Sequence, residues 1–281
     1  MVINFEENKM INHYHGLPIW GDGVMEIATR GSGAFVSHAW PQQTKKALDS
    51  AGSVAFDNGA FSAWRNGKPV RDWTPFYQWL MRHYHNEKLE FFIIPDVIDG
   101  NEEDNDKLID SLPSMFKEKA VPTWHLHESI DRLIRLCEEW PKVCFGSSGE
   151  YAVIRTKHWH EIMTEAFTEI YIKRNLKTKI HGLRMLDGRV LGNYPLHTAD
   201  STNLACNVPK FDKKYPELTR AIIEAEYSKS LDARELKQTI LRGRAAVLKG
   251  SVEKVKPPSI EEWIQKQSPH LRALFLSPAP D

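Results

Sequence analysis

Cysteine is scarce in this sequence, and long apolar runs are absent. Its three cysteines, Cys137, Cys144 and Cys206, are widely spaced in 281 residues, which argues against a disulfide framework and is typical of a reducing compartment. No stretch approaches the roughly 18 uncharged apolar residues of a membrane span. The N-terminal segment also lacks the basic and apolar regions of a secretory signal. These absences predict a soluble cytoplasmic protein with no membrane association.

An excess of either charge is also absent, since Lys+Arg and Asp+Glu both number 37. Without a global positive field, any contact with a nucleic acid must be local. Basic residues do cluster in three stretches: 173–179, 210–214 and 234–244. A solvated helix face explains any one of them, but two on the same side of a catalytic domain would bind phosphates.

The sequence lacks a GxGxxG motif after its first strand, which a dinucleotide-binding sheet would carry. Instead, short apolar runs alternate with longer amphipathic segments, and hydrophobic residues make up 41% of the chain, enough for a substantial core. The predicted strands are 33–39, 53–57, 89–96, 120–127, 142–148, 179–186 and 194–201. The predicted intervening helices are 41–51, 74–87, 101–119 with a break at Pro113, 128–139 and 157–175.

This βαβα order predicts a parallel α/β sheet. Polar residues follow nearly every strand, which favours closure into a TIM-like (β/α)8 barrel. An eighth strand is expected in 24–30 or 202–209. The barrel is expected to form a catalytic domain over 1–210, with 1–32 partly irregular, and residues 211–281 a helical extension packed on it. The sequence leaves the oligomeric state open, a homodimer being one alternative.

Reactive groups in such barrels stand at the carboxyl ends of the strands. Read along the chain, those ends carry acids, histidines and a glycine–serine loop: Asp57, Asp96, His125, His127, the segment 146–150, His181 and Asp200. Each residue alone is most simply a turn, cap or core residue. Their recurrence at the same end of successive strands predicts one site that is rich in carboxylates.

Five segments resemble, in order, segments of the tRNA-guanine transglycosylases. "FDNGAFSAW" (56–64) is similar to that family's Asp-Ser-Gly-Gly-Phe/Tyr-Gln segment, and "IIPDVIDG" (93–100) to the strand end whose Asp reads the base. "FGSSGE" (145–150) stands where the family has Gly-Gly-Leu-Ala-x-Gly-Glu. "HGLRM" (181–185) is similar to its sixth strand, and "HTADSTN" (197–203) to the strand end that carries the nucleophile. The order and spacing of the segments carry the resemblance, rather than any one motif.

The resemblance covers roughly 33–205 and implies a role for each matched residue. Asp200 is the implied nucleophile at the sugar C1′, and Asp57 the general acid/base for the departing and arriving base. Asp96 is implied to bind the guanine edge, and Phe61 to stack on its face. The other implied base-binding residues are Asn58, His125 or His127 where the family has a Gln, the Gly146–Ser147 backbone for the guanine carbonyl, and Met185 for the second stacking face.

The chemistry of base exchange supports carboxylates in these roles. Displacing a purine from a sugar passes through an oxocarbenium-like state, which a carboxylate beneath C1′ stabilises and can trap covalently. A second carboxyl group must exchange a proton with the base nitrogen, and the nucleotide must be flipped out of its stack. The reaction requires no cofactor.

One departure from the family concerns zinc. The tRNA enzymes carry a Cys-x-Cys-x2-Cys…His site after the barrel, whereas only Cys206 follows Asp200 here, so no zinc subdomain is expected. In this respect the chain is similar to the compact DNA-modifying relatives of phages and mobile elements. The resemblance therefore implies replacement of guanine in DNA by a 7-deazaguanine base such as preQ0 inside a bacterial cell, with tRNA as the alternative polymer.

Three other hypotheses use the same residues. His125 and His127 with Asp96 match the metal site of a barrel hydrolase, since His-x-His places both imidazoles on one strand face. The same carboxylates with water as the acceptor would make an N-glycosidase. A barrel with an intact site and no turnover would be a nucleic-acid-binding module.

Overall fold

The computed structural model describes residues 12–210 and 233–267, with positions 216, 217, 220, 221 and 224 between them. Its centre is a sheet of nine parallel strands in the order β5-β4-β3-β2-β1-β9-β8-β7-β6. The strands are β1 (His13–Gly16), β2 (Gly33–Ser37), β3 (Ser53–Asp57), β4 (Leu89–Ile93), β5 (Ala120–Val121), β6 (Thr123–His125), β7 (Lys142–Gly146), β8 (Lys179–Leu183) and β9 (Thr198–Ser201).

Helices surround this sheet. They are α1 (Val24–Thr29), α2 (Thr44–Ser50), α3 (Ala60–Arg65), α4 (Thr74–His83), α5 (Glu102–Asp110), α6 (Ile130–Glu139), α7 (Lys157–Phe167), α8 (Gly188–Leu191), α9 (Asn203–Asn207), α10 (Ala233–Glu253) and α11 (Ile260–Lys266), with 3-10 turns at Pro41–Gln43, Ser114–Lys119 and Gly149–Tyr151 and a π-helical turn at Thr168–Lys173. Asn101 and Ser129 cap α5 and α6 by accepting a first-turn amide. The predicted break at Pro113 is confirmed, because α5 ends before it and a 3-10 turn follows it.

The sheet closes into a barrel at Pro122. The two ends of the strand order, β5 and β6, are separated only by this proline, which lacks the N–H that a continuous ladder requires. Cys144 of β7 donates its amide to the Pro122 carbonyl at 2.8 Å, and Ile94 after β4 donates to Val121 of β5 at 2.9 Å. With β5 and β6 counted as one interrupted strand, the nine segments make the eight strands of a barrel. The predicted TIM-like α/β barrel is confirmed.

The eighth strand of the barrel, whose position the sequence left open, is β1, and it lies between β2 and β9. Both predicted positions for this strand are wrong, because Val24–Thr29 forms α1 and Asn203–Asn207 forms α9. The tetrapeptide His-Tyr-His-Gly contains no aliphatic run, so it does not look like a strand in sequence. Its Tyr14 is fully buried inside the barrel, where the hydroxyl is 2.9 Å from Ser53 Oγ. The polar groups of β1 are therefore satisfied by hydrogen bonds inside the barrel, and the strand has no run of aliphatic residues by which it could be recognised in the sequence.

Two apolar cores lie on the two faces of the strands. Along β3, Val54 and Phe56 join the larger core between sheet and helices, whereas Ala55 joins the smaller core inside the barrel. Apolar contacts on both faces explain the continuous apolar runs of strands such as β4. The inner core stops short of the carboxyl ends of the strands, where inward positions such as Asp57 and Asp200 are acidic.

The last two helices pack on the outside of the barrel. Near the start of α10, Gln238 Oε1 accepts the amide of Asp22 in the β1–α1 connection at 2.9 Å, and the helix runs along α1. Trp263 of α11 is buried against Phe167 at the end of α7. Among the described residues, no helix is long and apolar enough to cross a membrane.

Candidate active site

A cavity of about 320 Å³ opens at the carboxyl end of the barrel, a volume at the lower end of the range for small-molecule sites, roughly 300–1,000 Å³. It is lined by every predicted site residue except His127 and Met185: Asp57, Asn58, Phe61, Asp96, His125, Gly146, Ser147 and Asp200. Three carboxylates, from the ends of β3 and β9 and from just beyond β4, share this space. Closure of the barrel thus brings together acids that are far apart in sequence.

Asp57, the last residue of β3, faces the cavity. Its Oδ2 accepts the Gly59 amide at 3.2 Å, and the Ser37 hydroxyl is a second partner. Burial raises the pKa of Asp57 to about 7; the charges of Asp96 and Asp200 add to the rise, and the two hydrogen bonds oppose it. A carboxyl group with this pKa can both give and take a proton at neutral pH.

The turn after Asp57 depends on a glycine. Gly59 has a φ of 88°, in the left-handed region, and a Cβ at this position would lie 3.0 Å from the Ala39 amide nitrogen. The turn leads directly into α3, whose second residue, Phe61, is partly exposed at the cavity wall. A strand-end acid and an aromatic side chain are therefore placed side by side by one tight turn.

Asn58 is buried and braces the neighbouring strand end. Its Nδ2 donates to the Ile94 carbonyl and to Asp96 Oδ1, both at 2.8 Å, while its Oδ1 accepts the Ala60 amide at 2.7 Å. Its Nδ2 and Oδ1 are thus both engaged by neighbouring protein groups, although the residue also borders the cavity. Asn58 therefore acts on the site chiefly by orienting Asp96.

Asp96 and His125 form a buried pair at the cavity floor. Nε2 of His125 is 3.0 Å from Asp96 Oδ2, and both residues are buried. Burial alone lowers the pKa of His125, but its hydrogen bonds to Asp96 and Glu128 and their negative charges raise it to about 9. His125 is therefore protonated at neutral pH, and it donates to Asp96 at the cavity floor.

A second acid–base pair stands behind His125. Glu128 Oε1 lies 3.5 Å from His125 Nδ1, and Arg132 Nη1 is 2.6 Å from Glu128 Oε2. The Asn105 amide also donates to Glu128 Oε1 at 2.9 Å. Asp96, His125, Glu128 and Arg132 thus make a buried row of alternating charge. Sequence reasoning missed this row, because Glu128 and Arg132 fall at the start of the predicted helix 128–139 and look like its solvated face, whereas α6 begins at Ile130 and Glu128 precedes its cap.

Asp200, at the end of β9, is held on one oxygen. Its Oδ1 accepts the Arg184 amide at 2.9 Å and lies 3.3 Å from His181 Nε2. Burial lowers the pKa of His181, although Asp200 acts in the opposite direction, so the imidazole is neutral at pH 7. Its Nδ1 is 2.7 Å from Thr198 Oγ1, which is consistent with Nε2–H donating to Asp200. The other oxygen, Oδ2, receives no hydrogen bond from the described residues.

Arg184 is a site residue that sequence reasoning did not identify. Its guanidinium carbon lies 4.0 Å above the Phe61 ring centroid, and its Nη2 donates to the Ser147 carbonyl at 2.7 Å. The backbone at Arg184 has a φ of 60°, unusual for a residue with a side chain. This conformation aims its amide at Asp200 and its side chain across the mouth, a type of strain that often marks functional positions.

Met185 does not lie at the cavity. It is fully buried in the core between sheet and helices, and a Cβ on Gly182 would lie 2.9 Å from its sulfur. The expectation that Met185 provides a stacking face is not met by this position. Because Arg184 adopts a left-handed backbone conformation, Arg184 rather than Met185 points towards the cavity. The Arg184 guanidinium therefore covers the face of Phe61.

The β7 end carries Gly146 and Ser147 as expected. A Cβ on Gly146 would lie 3.1 Å from His125 Cδ2, so glycine is needed for the imidazole to approach. Ser147 Oγ accepts the Trp159 indole N–H at 3.0 Å. His127, by contrast, is exposed and lies outside the cavity, with its Nδ1 at 2.9 Å from Ser148 Oγ. Of the two candidate histidines, His125 is therefore the one at the site.

The arrangement of His127 also bears on the metal-site alternative. β6 ends at His125, so His127 is not on the strand face that would bring both imidazoles together. Their rings stack at a centroid distance of 5.7 Å instead. Within residues 12–210 and 233–267, no group of three or more His, Cys, Asp or Glu side chains is arranged to hold a metal ion.

The three basic stretches occupy different places. Residues 173–179 precede β8 and therefore lie at the amino end of the barrel, away from the cavity. Of 210–214, only Lys210 is among the described residues. The stretch 234–244 belongs to α10 and reaches the mouth side, where Arg242 donates to the Asp22 carbonyl at 3.3 Å. Only this third stretch has a described position beside the connections that surround the cavity.

Fold and site together define a class: a parallel α/β barrel with a carboxylate-lined cavity at the carboxyl ends of its strands. Comparison with the sequence profiles of known protein families finds no match, and a search of curated proteins finds no significant relative. A function must therefore be argued from the site residues themselves.

Proposed function

We propose that the protein is a guanine transglycosylase that replaces guanine in DNA by a 7-deazaguanine base through a covalent link between Asp200 and the sugar. The observation that carries the proposal is the shared cavity: a carboxylate with one unbonded oxygen, a second carboxyl with a pKa of about 7, and a third acid held by a protonated histidine. These are the three functions that base exchange needs: nucleophile, proton carrier and base recognition.

Asp200 is the proposed nucleophile. Arg184 and His181 hold Oδ1, so Oδ2 is the oxygen that attacks C1′. The C1′–N9 bond breaks as the C1′–O bond forms, and its electron pair leaves with guanine. In the second half of the reaction, N9 of the incoming base attacks C1′ and the Asp200 carboxylate departs. Two such displacements return the sugar to its original configuration, as in retaining glycosidases.

Asp57 is the proposed proton carrier. In its neutral form it protonates the departing guanine, and the carboxylate that results removes the N9 proton of the incoming base. One proton therefore passes out and back, and no net acid or base is consumed. A pKa of about 7 suits this double role, because both forms of Asp57 are well populated at neutral pH.

Asp96 is the proposed reader of the base. His125 and Asn58 both donate to it from behind, so it presents acceptor lone pairs to the cavity. The guanine edge offers the N1–H and the 2-amino group as donors, whereas the corresponding position of adenine carries no N–H. Phe61 and the Arg184 guanidinium together form a wall against which the base plane can lie.

DNA is preferred over tRNA as the polymer. In this sequence only Cys206 follows Asp200, whereas the tRNA enzymes that it resembles carry three cysteines and a histidine for zinc after the barrel. The basic stretch 234–244 reaches the mouth side of the barrel; Arg242 is paired there with Glu235 and Arg244 is buried, so Lys237 is the exposed cation that we assign to phosphate contacts.

A labelled-guanine exchange assay tests the proposal, with a guanine-containing DNA and a tRNA in parallel and Asp200→Asn as the control. Incorporation into DNA by the wild type and not by the variant is the expected result. Incorporation into tRNA alone would reverse the choice of polymer. Release of guanine without incorporation would identify an N-glycosidase, and no turnover on either polymer would reject the enzyme proposal.

A further inference from the structure

Three tryptophans stand exposed around the mouth of the cavity. Trp20, Trp40 and Trp64 are 62%, 49% and 40% exposed. They occupy three consecutive connections, after β1, β2 and β3, so all of them are on the carboxyl face. No other tryptophan in the described part of the chain is among its exposed large apolar side chains. Surface aromatics confined to one face usually mark an interaction site.

The connections of Trp20 and Trp40 are tied together. Gln43, in the 3-10 turn that follows Trp40, accepts the Ile19 amide at 2.9 Å and donates to the Ile19 carbonyl at 2.8 Å. Gln43 is itself buried. The segment that carries Trp20 is thus fixed against the one that carries Trp40.

Trp64 continues this surface towards the active site. Its ring centroid is 5.7 Å from that of Phe61, at the cavity wall. Trp40 lies in the β2–α2 connection, next to Ala39. Ala39 packs against Gly59, the residue that precedes α3, so closely that a Cβ added to Gly59 would lie 3.3 Å from the Ala39 Cβ. Trp40 itself lines the cavity. The aromatic surface is therefore continuous with the proposed base-binding site.

A basic segment follows Trp64. Residues 65–71, "RNGKPVR", contain three cations and no acid. Arg65, Lys68 and Arg71 are all exposed, and none makes an ion pair with a described residue. Aromatic faces next to unpaired cations match the chemistry of a nucleic-acid strand, whose bases stack on the rings and whose phosphates meet the cations.

We propose that this surface, Trp20, Trp40 and Trp64 with the segment 65–71, binds an unpaired stretch of DNA that flanks the target deoxyguanosine. The inference rests on the proposed function, and it names the substrate of that function as single-stranded DNA. Base faces are available for stacking only where the strand is unpaired, because in a duplex they are covered by neighbouring base pairs. A protein partner or a second copy of this chain would cover the tryptophans without any need for the basic segment.

Binding of labelled oligonucleotides to the full-length protein tests this inference. One sequence is used as single-stranded DNA, as duplex DNA and as RNA, with fluorescence anisotropy as the measurement. Single-stranded DNA is expected to bind at least about tenfold more tightly than the duplex. Trp20→Ala and Trp64→Ala should each weaken that binding roughly five- to a hundredfold. Met115→Ala, which removes a 53% exposed apolar side chain before β5, is the matched control and should change nothing.

The basic segment has a separate signature. The double variant Lys68→Ala/Arg71→Ala should reduce the slope of log affinity against log salt concentration by about 1.4, since each phosphate contact on a single strand contributes about 0.7. Equal affinity for the duplex, tighter binding of the RNA, or no effect of the tryptophan variants would overturn the inference. So would dimerisation of the DNA-free protein that the tryptophan variants abolish.

Failure of this inference can be told apart from failure of the proposed function. Binding of single-stranded DNA that depends on Trp20 and Trp64, by a protein that exchanges no base, would support the binding surface and reject the enzyme. Base exchange in duplex DNA that survives Trp20→Ala and Trp64→Ala would support the enzyme and reject the binding surface.

Discussion

The two ends of the barrel differ in how far their carboxylates are paired with cations. At the amino end, Glu90 of β4 meets Lys142 of β7 at 2.8 Å and also accepts the Tyr14 hydroxyl. Lys142 in turn lies 4.0 Å above the Phe91 ring. Although burial acts to raise it, the pKa of Glu90 is held below its usual range by Lys142 and by hydrogen bonds. Glu90 and Lys142, the two charges beside the inner core at this end, are thus paired with each other.

At the carboxyl end, acids outnumber their partners. Asp96 has His125, and Asp200 has the Arg184 amide and a neutral His181. Asp57 has only neutral donors, and its pKa rises to about 7 instead of falling. A carboxyl group at the amino end of β4 thus has its pKa lowered by a neighbouring cation, whereas a carboxyl group at the carboxyl end of the adjacent β3 has its pKa raised to about 7. Unmatched charge next to a cavity is the feature on which the proposed reactivity of this end rests.

The largest expected effect comes from Asp200→Asn. The change preserves shape but removes the charge that stabilises a cationic sugar and forms the covalent link. Exchange should fall by roughly 10³–10⁶-fold, measured as initial rates of labelled-guanine incorporation. Full activity in this variant would show that Asp200 is not the nucleophile and would make Asp57 the next candidate.

Asp57→Asn should have the next largest effect, since proton transfer to the leaving base is typically worth ~10²–10⁴-fold. Binding of the polynucleotide should remain near the wild-type value, because Asp96, Phe61 and the β7 end are untouched. The first half-reaction of the wild type needs neutral Asp57, so its single-turnover rate should fall as the pH rises through about 7. This pH dependence should vanish in the variant; its persistence would assign the titration to another group.

A smaller effect is expected from Glu128→Gln, which removes one of the two acids that face His125. The pKa of His125 should fall from about 9 by roughly one unit or more, followed by histidine NMR titration. The value of kcat/KM should fall about three- to tenfold as Asp96 loses its fixed orientation. Glu139→Gln, at an exposed site at the end of α6, is the control. An unchanged His125 titration would mean that Glu128 does not set its charge.

The smallest effect on activity is expected from Lys142→Met at the amino end. Losing the contacts to Glu90 and Phe91 should lower the free energy of unfolding by about 1 kcal/mol, measured by urea denaturation. Exchange should stay within about twofold of wild type, because Lys142 lies at the end of the barrel opposite the cavity. A large loss of exchange at unchanged stability would break the division between the two ends.

The sequence predicts the acidic end of the barrel well and its supporting groups poorly. Asp57, Asp96 and Asp200 were identifiable because each follows a recognisable strand in a parallel sheet, and parallel strands share their carboxyl edge. β1 escaped detection because its burial rests on Tyr14 and on histidines rather than on aliphatic residues. Arg184 escaped because a left-handed turn, invisible in the pattern, moves the exposed position by one residue.

The positions of the supporting charges could not be read from the sequence either. Glu128 and Arg132 are four residues apart, a spacing typical of surface ion pairs on helices, yet both are buried behind His125. Their burial follows from closure of the barrel, a long-range event without a local signature. Expectations for residues 1–11, 211–215, 218–219, 222–223, 225–232 and 268–281 lie outside the described residues.

The most direct test of the account is to trap the covalent intermediate. The protein is mixed with a guanine-containing single-stranded DNA, denatured during turnover, and separated by denaturing electrophoresis, and the adduct is mapped by mass spectrometry of its peptides. The account predicts a DNA-linked peptide that contains Asp200, absent in Asp200→Asn and formed more slowly in Asp57→Asn. Turnover without any adduct, or a DNA-linked peptide that carries the modification on Asp57, would contradict it.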